Sequence, residues 1–314
     1  MTGPPKPPAP DSLTKILQEN PFTQARQALI AELASLLAPK LNKSSLVVAT
    51  YIANTMNPAA TQVSPMNFSH EKPLYDVLAE ARTRSPHLAL ILCTMGGDAA
   101  FPARTARLVL EDLGFESFHV VIPHFAKSAG TALTLASNGA VTGPTSQFGP
   151  IDPQLPRVTS AGQSWVGGRS VRDAYQKLLN EKLAELPPAA QAGVASSIDW
   201  MLYQQALDAL LSMKEYVSKI KQTTHTGLRE EELVRDLIDS PLSHSTDVSP
   251  AKLASYGVPI IQLQRDDPTW AKISEYHTRA LRNLNMEQPP GMMGVVLFES
   301  EHASLATQAP LPGK

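Results

Sequence analysis

The amino-acid sequence predicts an α/β fold with a mostly parallel sheet covered by helices and a helical C-terminal layer. Between residues 45 and 157, short and almost continuously apolar runs alternate with amphipathic helical segments. This pattern is typical of parallel strands that are buried on both faces. Beyond residue 157 the apolar spacing becomes that of helices, in three long segments separated by breaks such as PP and TTHTG.

The elements follow one another in five predicted regions. Residues 1–22 form a proline-rich arm whose composition cannot build a helix or a sheet interior, so we expect it to be disordered. A helix with one apolar face occupies 23–44, and the α/β core occupies 45–157. A helical subdomain follows at 158–248. Residues 249–314 complete the chain as a helix, a strand, a long helix and a tail.

Within the core, four apolar runs predict the strands of the sheet. They read SLVVATYIA, HLALILCT, FHVVIP and GAVTGP, and the segments between them predict helices. The second strand runs into a Gly-Gly turn and a helix from Asp98 to Leu113. The third runs into a helix of small residues that starts near Ser128.

Composition excludes several classes of protein. The formal net charge of -2 gives no field that attracts nucleic acid or anionic lipid. One cysteine, Cys93, excludes an internal disulfide framework and a cysteine-based metal site, which favours a cytoplasmic setting. No stretch approaches the roughly 18 consecutive apolar residues of a membrane span, and the N-terminus lacks the pattern of a signal peptide.

Ser128 is the first candidate functional residue. It stands in Ala126-Lys127-Ser128-Ala129-Gly130, at the junction of a strand and a helix. A small-x-Ser-x-Gly turn exposes the hydroxyl, while N–H groups at the start of the helix face a bound substrate. The alternative is a serine that simply caps the helix.

The second candidate is the turn Thr94-Met95-Gly96-Gly97-Asp98, which also follows a buried strand and opens a helix. Paired glycines allow positive φ and close approach, so a backbone N–H can face a developing oxyanion. A plain strand-to-helix turn is the alternative, because many such turns contain glycine for steric reasons.

The third candidate is a rigid stretch around Asp152, where Pro150 and Pro153 flank Ile151-Asp152. A backbone fixed in this way holds a carboxylate in one position, which suits a group that must act on a serine or a substrate. The alternative is a carboxylate that only stabilises a turn or a subunit contact.

These blocks, in this order, resemble the Clp-protease/crotonase superfamily, and most closely its serine dehydrogenase proteinase family, which is related to signal peptide peptidase A. The resemblance rests on CTMGGDA, PHFAKSAGTALTLAS and GPTSQFGPIDPQL, and it covers residues 45 to about 155. A fainter similarity continues in SHSTDVSPAKLASYGVPI, where extra residues separate His244 from Asp247.

The resemblance implies a Clp-protease/crotonase-like core of ββα repeats and ATP-independent serine peptidase activity. Ser128 attacks a carbonyl, and N–H groups of the Gly96-Gly97 turn and Ala129 stabilise the oxyanion. No cofactor is expected, since the sequence has no GxGxxG turn followed by a ribose-binding acid.

The general base has several candidates. Clp proteases use His and Asp, whereas relatives of signal peptide peptidase A use a lysine from a later helix. Asp152 stands where a Clp protease carries its histidine, and Lys177 and Lys182 lie where a Ser-Lys dyad places its lysine. His124 lies four residues before Ser128 and can approach the same pocket edge. Solvated lysines and a structural histidine are the alternatives.

The sequence therefore predicts a serine peptidase that acts on peptides or proteins, and the resemblance implies a homo-oligomer. A catalytically silent scaffold that binds peptides or supports assembly is the principal alternative. A crotonase-type enzyme that stabilises thioester enolates with the same N–H groups is a third hypothesis. An α/β-hydrolase is disfavoured, because AKSAG replaces GxSxG.

Overall fold

The structure, a computed structural model, describes residues 20–159, 162–239 and 243–311. Its backbone divides into two units. The first comprises the described residues up to Phe148, Ser249–Ala254 and the residues from Val258 onward. The second comprises the described part of Gly149–Val248 and Ser255–Gly257.

A seven-stranded sheet runs through the first unit in the order β11-β10-β1-β2-β3-β5-β9. Strands β1, β2, β3, β5 and β9 are parallel, while β10 and β11 extend the sheet in antiparallel fashion beside β1. Two short strands, β4 and β6, pair with each other. The strands of this unit are β1 (Val47–Ala53), β2 (His87–Cys93), β3 (Ser117–Ile122), β4 (Phe125–Ala126), β5 (Ala140–Thr142), β6 (Gln147–Phe148), β9 (Ile260–Gln262), β10 (Met292–Glu299) and β11 (Ser304–Pro310).

Helices lie between these strands. They are α1 (Pro21–Lys40), α2 (Pro58–Val63), α3 (Glu71–Arg82), α4 (Phe101–Arg107), α5 (Ala129–Ala136) and α11 (Pro268–Met286). A 3-10 turn, Phe68–His70, precedes α3, and a π turn, Leu108–Asp112, continues α4. One further helix, α10 (Pro250–Ser255), has residues in both units.

Helices α1 and α11 pack together on one face of the sheet, because both carry an apolar stripe at helical spacing. In α1 the stripe includes Leu29, Ile30, Leu33 and Leu37, all of them buried. Alternate residues of the central strands face this layer. Since β1 and β2 are almost completely buried, their sequences read as continuous apolar runs.

A buried ion pair joins α1 to the antiparallel side of the sheet. The guanidinium of Arg26 donates from Nε and Nη2 to the Glu299 carboxylate at 2.9 to 3.0 Å, and both side chains are almost fully buried. Tyr276 Oη and Ser304 Oγ also donate to this carboxylate, each at 2.7 Å. Burial and the nearby charge of Glu299 raise the pKa of Tyr276 well above its usual value. A carboxylate with this many donors is stable as an anion away from water.

The second unit is built from a strand pair and helices. Strands β7 (Gln154–Thr159) and β8 (Gly162–Gly167) are antiparallel. The helices are α6 (Gly168–Lys177), α7 (Pro188–Ser197), α8 (Trp200–Thr223) and α9 (Glu230–Val234). Two π turns, Leu178–Lys182 and Arg235–Asp239, and a 3-10 turn, Leu183–Glu185, continue them. Val171, Leu202 and Ala206 form a small apolar core between α6 and α8.

The predicted α/β class and the helical layer are confirmed, but three details of the sequence analysis are wrong. Pro21 and Phe22 begin α1, capped by the Asn20 side chain, whereas the predicted disordered arm extended to residue 22. The rest of that arm, 1–19, lies outside the described residues. Residues 158–159 and 162–167 belong to a strand pair rather than to a helical region, and the predicted C-terminal tail contains β11. In these two cases cross-strand hydrogen bonding outweighs weak local propensity.

Among the described residues, no helix is both long enough and apolar enough to cross a membrane.

Replacing Arg26 with Met is expected to lower the free energy of unfolding by about 3–5 kcal/mol, because Glu299 would remain buried without its cation. Urea denaturation followed by circular dichroism measures the loss. The matched control is Lys272→Met, which breaks a solvent-exposed ion pair with Glu32 and is expected to change the free energy of unfolding far less, because water screens that pair. An equal loss in both variants would contradict the argument.

Candidate active site

Ser128 stands in a strained turn between β4 and α5. Its backbone has φ 48° and ψ -114°, a conformation that non-glycine residues rarely adopt. Such strain costs on the order of 1–3 kcal/mol and persists only where the surrounding structure imposes it. It commonly occurs at functional sites, and a nucleophile at a strand-to-helix elbow is one example.

Backbone hydrogen bonds to the end of β2 impose this conformation. Thr94 donates its N–H to Phe125 O at 2.8 Å and accepts the N–H of Lys127 at 3.0 Å. Gly130 donates to Lys127 O at 2.8 Å, which closes the turn around Ser128. A Cβ on Gly130 would lie 2.6 Å from Thr94 Cγ2, so the small residue at this position is a packing requirement.

Gly96 packs directly against the serine. Its φ is 108°, and a Cβ built on it would lie 2.6 Å from Ser128 Cβ and 3.2 Å from Ser128 Oγ. The structure thus brings Gly96 of the Gly-Gly turn next to Ser128. The Gly96 N–H donates to Thr94 Oγ1 at 3.0 Å, so Gly96 supplies space rather than an oxyanion donor.

The candidate oxyanion donors are the backbone N–H groups of the residues that directly follow Gly96 and Ser128. Gly97 follows Gly96, and Ala129 follows Ser128 at the first position of α5. Among the described residues, neither N–H has a hydrogen-bond acceptor. Two unpaired N–H groups beside a hydroxyl can stabilise the negative charge of a tetrahedral intermediate.

A neighbouring segment holds the Gly-Gly turn in place. Met66 donates its N–H to Gly96 O at 2.8 Å and accepts the N–H of Asp98 at 2.7 Å. A Cβ on Gly97 would lie 2.2 Å from Met66 O, so only glycine allows this approach. These two hydrogen bonds use the carbonyl of Gly96 and the N–H of Asp98, so, within the described part of the chain, the N–H of Gly97 itself has no hydrogen-bond acceptor.

A buried hydrogen bond anchors the far end of this segment. His70 Nδ1 and Tyr51 Oη lie 2.8 Å apart, and both side chains are buried. Burial lowers the pKa of His70 to about 4, so its imidazole is neutral near neutral pH. The Asn67 side chain accepts the N–H of Ser69 and so caps the start of the 3-10 turn Phe68–His70. Residues 66–70 are thus fixed to the sheet.

His124 lies in the first unit, but its ring makes no hydrogen bond with Ser128 among the described residues. It stacks on Phe125 with ring centroids 3.6 Å apart. Burial, with a smaller contribution from the charge of Lys127, lowers the pKa of His124. The Lys127 Nζ lies over the Phe125 ring, 5.8 Å from its centroid. These contacts favour a packing role for His124.

In the second unit, Asp152 has a partner that sequence reasoning did not assign. His244 Nδ1 donates to Asp152 Oδ1 at 2.7 Å, and Gln154 Nε2 donates to Oδ2 at 3.0 Å. The carboxylate is buried, whereas the imidazole is about one third exposed. A carboxylate that holds Nδ1–H leaves Nε2 as the basic nitrogen. The SHSTD segment was the sequence signal, and the extra residues after His244 obscured it.

The two candidate lysines are also in the second unit. Lys177 is exposed at the end of α6, where its charge is solvated. Lys182 ends the following π turn, and its side chain lies outside what the structure describes. Within the described ranges, no cluster of three or more His, Cys, Asp or Glu residues could hold a metal ion.

Comparison with known proteins gives few sequence matches. No family model matches the chain. The uncharacterized protein MJ1495 of Methanocaldococcus jannaschii is 23% identical over 171 residues, which are 54% of this chain and 51% of that protein. The chain thus spans about half the length of this curated relative.

Similar solved structures include a mutant of the 1510-N membrane-bound stomatin-specific protease, with a TM-score of 0.39 and 15% identity over 64% of this chain and 77% of that one. ClpP1 from Listeria monocytogenes has a TM-score of 0.39 and 13% identity over 74% of this chain and 99% of that one. A monofunctional enoyl CoA isomerase from M. smegmatis has a TM-score of 0.32 and 15% identity over 76% and 81% of the two chains.

Replacing Gly96 with Ala is expected to slow covalent labelling of Ser128 by a fluorophosphonate about 100-fold or more, because the new methyl group displaces the serine. Intact-mass spectrometry over time measures the rate. Gly114→Ala is the matched control, since Gly114 also has positive φ but has open space around its Cβ position. Equal labelling rates in the two variants would show that contact at Gly96 does not position Ser128.

Proposed function

We propose that this protein is a serine peptidase in which Ser128 forms an acyl-enzyme and the N–H groups of Gly97 and Ala129 stabilise the oxyanion. The observation that carries the proposal is the strained Ser128 turn, packed against Gly96 and flanked by two unbonded N–H groups. A serine that only caps a helix needs no such strain. Here Ser128 makes no side-chain capping bond to α5.

The reaction proceeds by acyl transfer. Ser128 Oγ forms a bond to the carbonyl carbon of the substrate while its proton passes to a base. The carbonyl oxygen becomes an oxyanion, which the two N–H groups bind. Collapse of this intermediate breaks the C–N bond, and the amine leaves with the proton. Water then attacks the carbonyl carbon of the acyl-enzyme, the bond from that carbon to Ser128 Oγ breaks, and the carboxylic acid leaves while Oγ regains a proton.

Asp152 and His244 form the candidate proton-transfer pair of the second unit. Within the second unit their hydrogen bond has the chemistry of a base held in one tautomer. In the serine dehydrogenase proteinase family that the chain resembles, the GPIDPQ block, which contains Asp152, accompanies the AKSAGT block, which contains Ser128. The proposal gives Lys177, Lys182 and His124 no part in proton transfer.

The proposal also includes a setting for the reaction. We expect peptide or protein substrates, a homo-oligomeric enzyme and a cytoplasmic location. The buried Cys93, whose pKa is raised to about 11 by burial, is an unreactive thiol and is compatible with this setting.

Ser128→Ala is expected to abolish fluorophosphonate labelling, whereas the wild-type protein acquires one adduct on the peptide that contains Ser128. Intact-mass measurement followed by peptide mapping gives the result. Thermal unfolding of both proteins checks that the variant is folded. Failure of the folded wild type to label would overturn the peptidase proposal in favour of a catalytically silent scaffold.

A further inference from the structure

Asp98 follows the Gly96-Gly97 turn and leads the chain into α4. Its Oδ1 accepts the N–H of Ala100 at 2.9 Å, and its Oδ2 accepts a hydrogen bond from Nη2 of Arg104 at 3.1 Å. Its backbone N–H donates to Met66 O at 2.7 Å. The residue directly after Gly97 is therefore held through both its backbone and its side chain.

Arg104 also contacts the neighbouring segment that holds the turn. Its Nε contacts the carboxylate of Glu71, the first residue of α3. The N–H of Glu71 donates to Phe68 O and so closes the 3-10 turn that begins two residues after Met66. The Arg104 guanidinium therefore bridges two carboxylates, Asp98 beside the Gly-Gly turn and Glu71 at the end of the segment that contains Met66. We call these three side chains the Arg104 bridge.

The other cations of these two helices have partners of their own. Lys72 pairs with Asp76 on α3, and Arg107 lies 3.8 Å from Asp112 at the end of α4 and its π turn. Within the described ranges, neither cation forms an ion pair with a carboxylate of the Arg104 bridge. Loss of the Arg104 charge would therefore leave both of these carboxylates without a cation already in place.

Helix α4 is a neighbour of both candidate oxyanion donors. It follows the turn that carries the Gly97 N–H, and it packs against α5, whose first residue is Ala129. Phe101 and Thr105, one helical turn apart on α4, are fully buried and supply its packing. Arg104 is 38% exposed and supplies polar contacts instead. A shift of α4 relative to residues 66–71 would therefore change the position of one donor relative to the other.

We propose that Arg104 is a positioning residue for the oxyanion site. By bridging Asp98 and Glu71, it holds the Gly97 N–H in the orientation in which this group stabilises the oxyanion. This inference rests on the proposed function. Arg104 itself touches neither the substrate nor the reacting atoms, and it acts through the backbone that it fixes.

The exposure of the Arg104 bridge separates this role from a purely structural one. Its three side chains are 37–41% exposed, and exposed ion pairs contribute little to the free energy of unfolding because water screens them. The bridge nevertheless joins the two segments whose backbones flank Gly97. A donor that is displaced from its productive position loses part of its stabilisation of the transition state, although the fold is intact. We therefore expect loss of the bridge to lower the reaction rate far more than the stability.

Fluorophosphonate labelling of Ser128 tests the inference. Ser128 Oγ displaces fluoride from phosphorus, its proton passes to a base, and the phosphoryl oxygen gains negative charge that the same N–H groups bind. Rates at several reagent concentrations separate the saturating rate from the half-saturating concentration. Arg104→Met should lower the saturating rate about 10-fold and change the half-saturating concentration less than about 2-fold. Arg104→Lys should recover most of the rate, because its ammonium can still pair with one carboxylate.

A second variant and a salt titration test the other end of the bridge. Asp98→Asn retains an oxygen that accepts the Ala100 N–H but lacks the charge that binds Arg104, so it should also lower the saturating rate. The double variant with Arg104→Met should be no slower than the slower single variant. Raising NaCl from about 0.05 M to about 1 M should slow the wild type more than Arg104→Met, because salt screens an exposed ion pair.

Arg279→Met is the matched control, because it breaks a similarly exposed pair with Glu275 on α11. Its saturating rate and salt dependence should equal those of the wild type, and thermal unfolding checks that each variant is folded. A wild-type saturating rate in folded Arg104→Met, or an equal loss in Arg279→Met, would overturn the inference. If Arg104→Met does not fold, a wild-type rate in Asp98→Asn has the same meaning. Failure of the proposed function differs visibly, because the wild type would then not label at Ser128.

Discussion

The buried carboxylate of Glu299 is the interaction on which the central sheet most depends. It ends β10 and binds Arg26 of α1, a residue 273 positions away in sequence, while Tyr276 of α11 also donates to it. Thr50 Oγ1 of β1 accepts the Glu299 N–H. An anion in an apolar interior is stable only with all these donors, so two helices and two strands must assemble together. The strands that carry the candidate site are fixed by that assembly.

Contacts from other segments of the chain also hold the candidate site in place. The strain at Ser128 would relax in an isolated turn, but hydrogen bonds to Thr94 and the packing of Gly96 hold it. Met66 fixes the outer side of the Gly-Gly turn and leaves the Gly97 N–H unbonded. Close backbone approach at three glycines, Gly96, Gly97 and Gly130, is therefore the constraint that forms the site. The strained backbone lowers the local stability, but it holds the polar groups in a fixed arrangement, as is common at functional sites.

Sequence reasoning succeeded where the cause was local. The parallel strands were recognisable because both of their faces are buried, and the Ser128 elbow was recognisable because its small residues are steric requirements of a tight turn. It failed at β7, β8 and β11, whose strand character depends on a partner strand. The Asp152 and His244 pair was also missed, because a contact between residues 92 positions apart leaves no periodic trace.

The sequence by itself determined the α/β class, the positions of the core strands along the chain and the two turns that carry Ser128 and the paired glycines. Those features follow from burial patterns and from the steric limits of individual residues. Only the tertiary structure decided that Gly96 packs on Ser128, that the Gly97 N–H lacks an acceptor while the Gly96 N–H is bonded, and that Asp152 holds His244. These are contacts between distant segments, and the path of the whole chain sets their geometry.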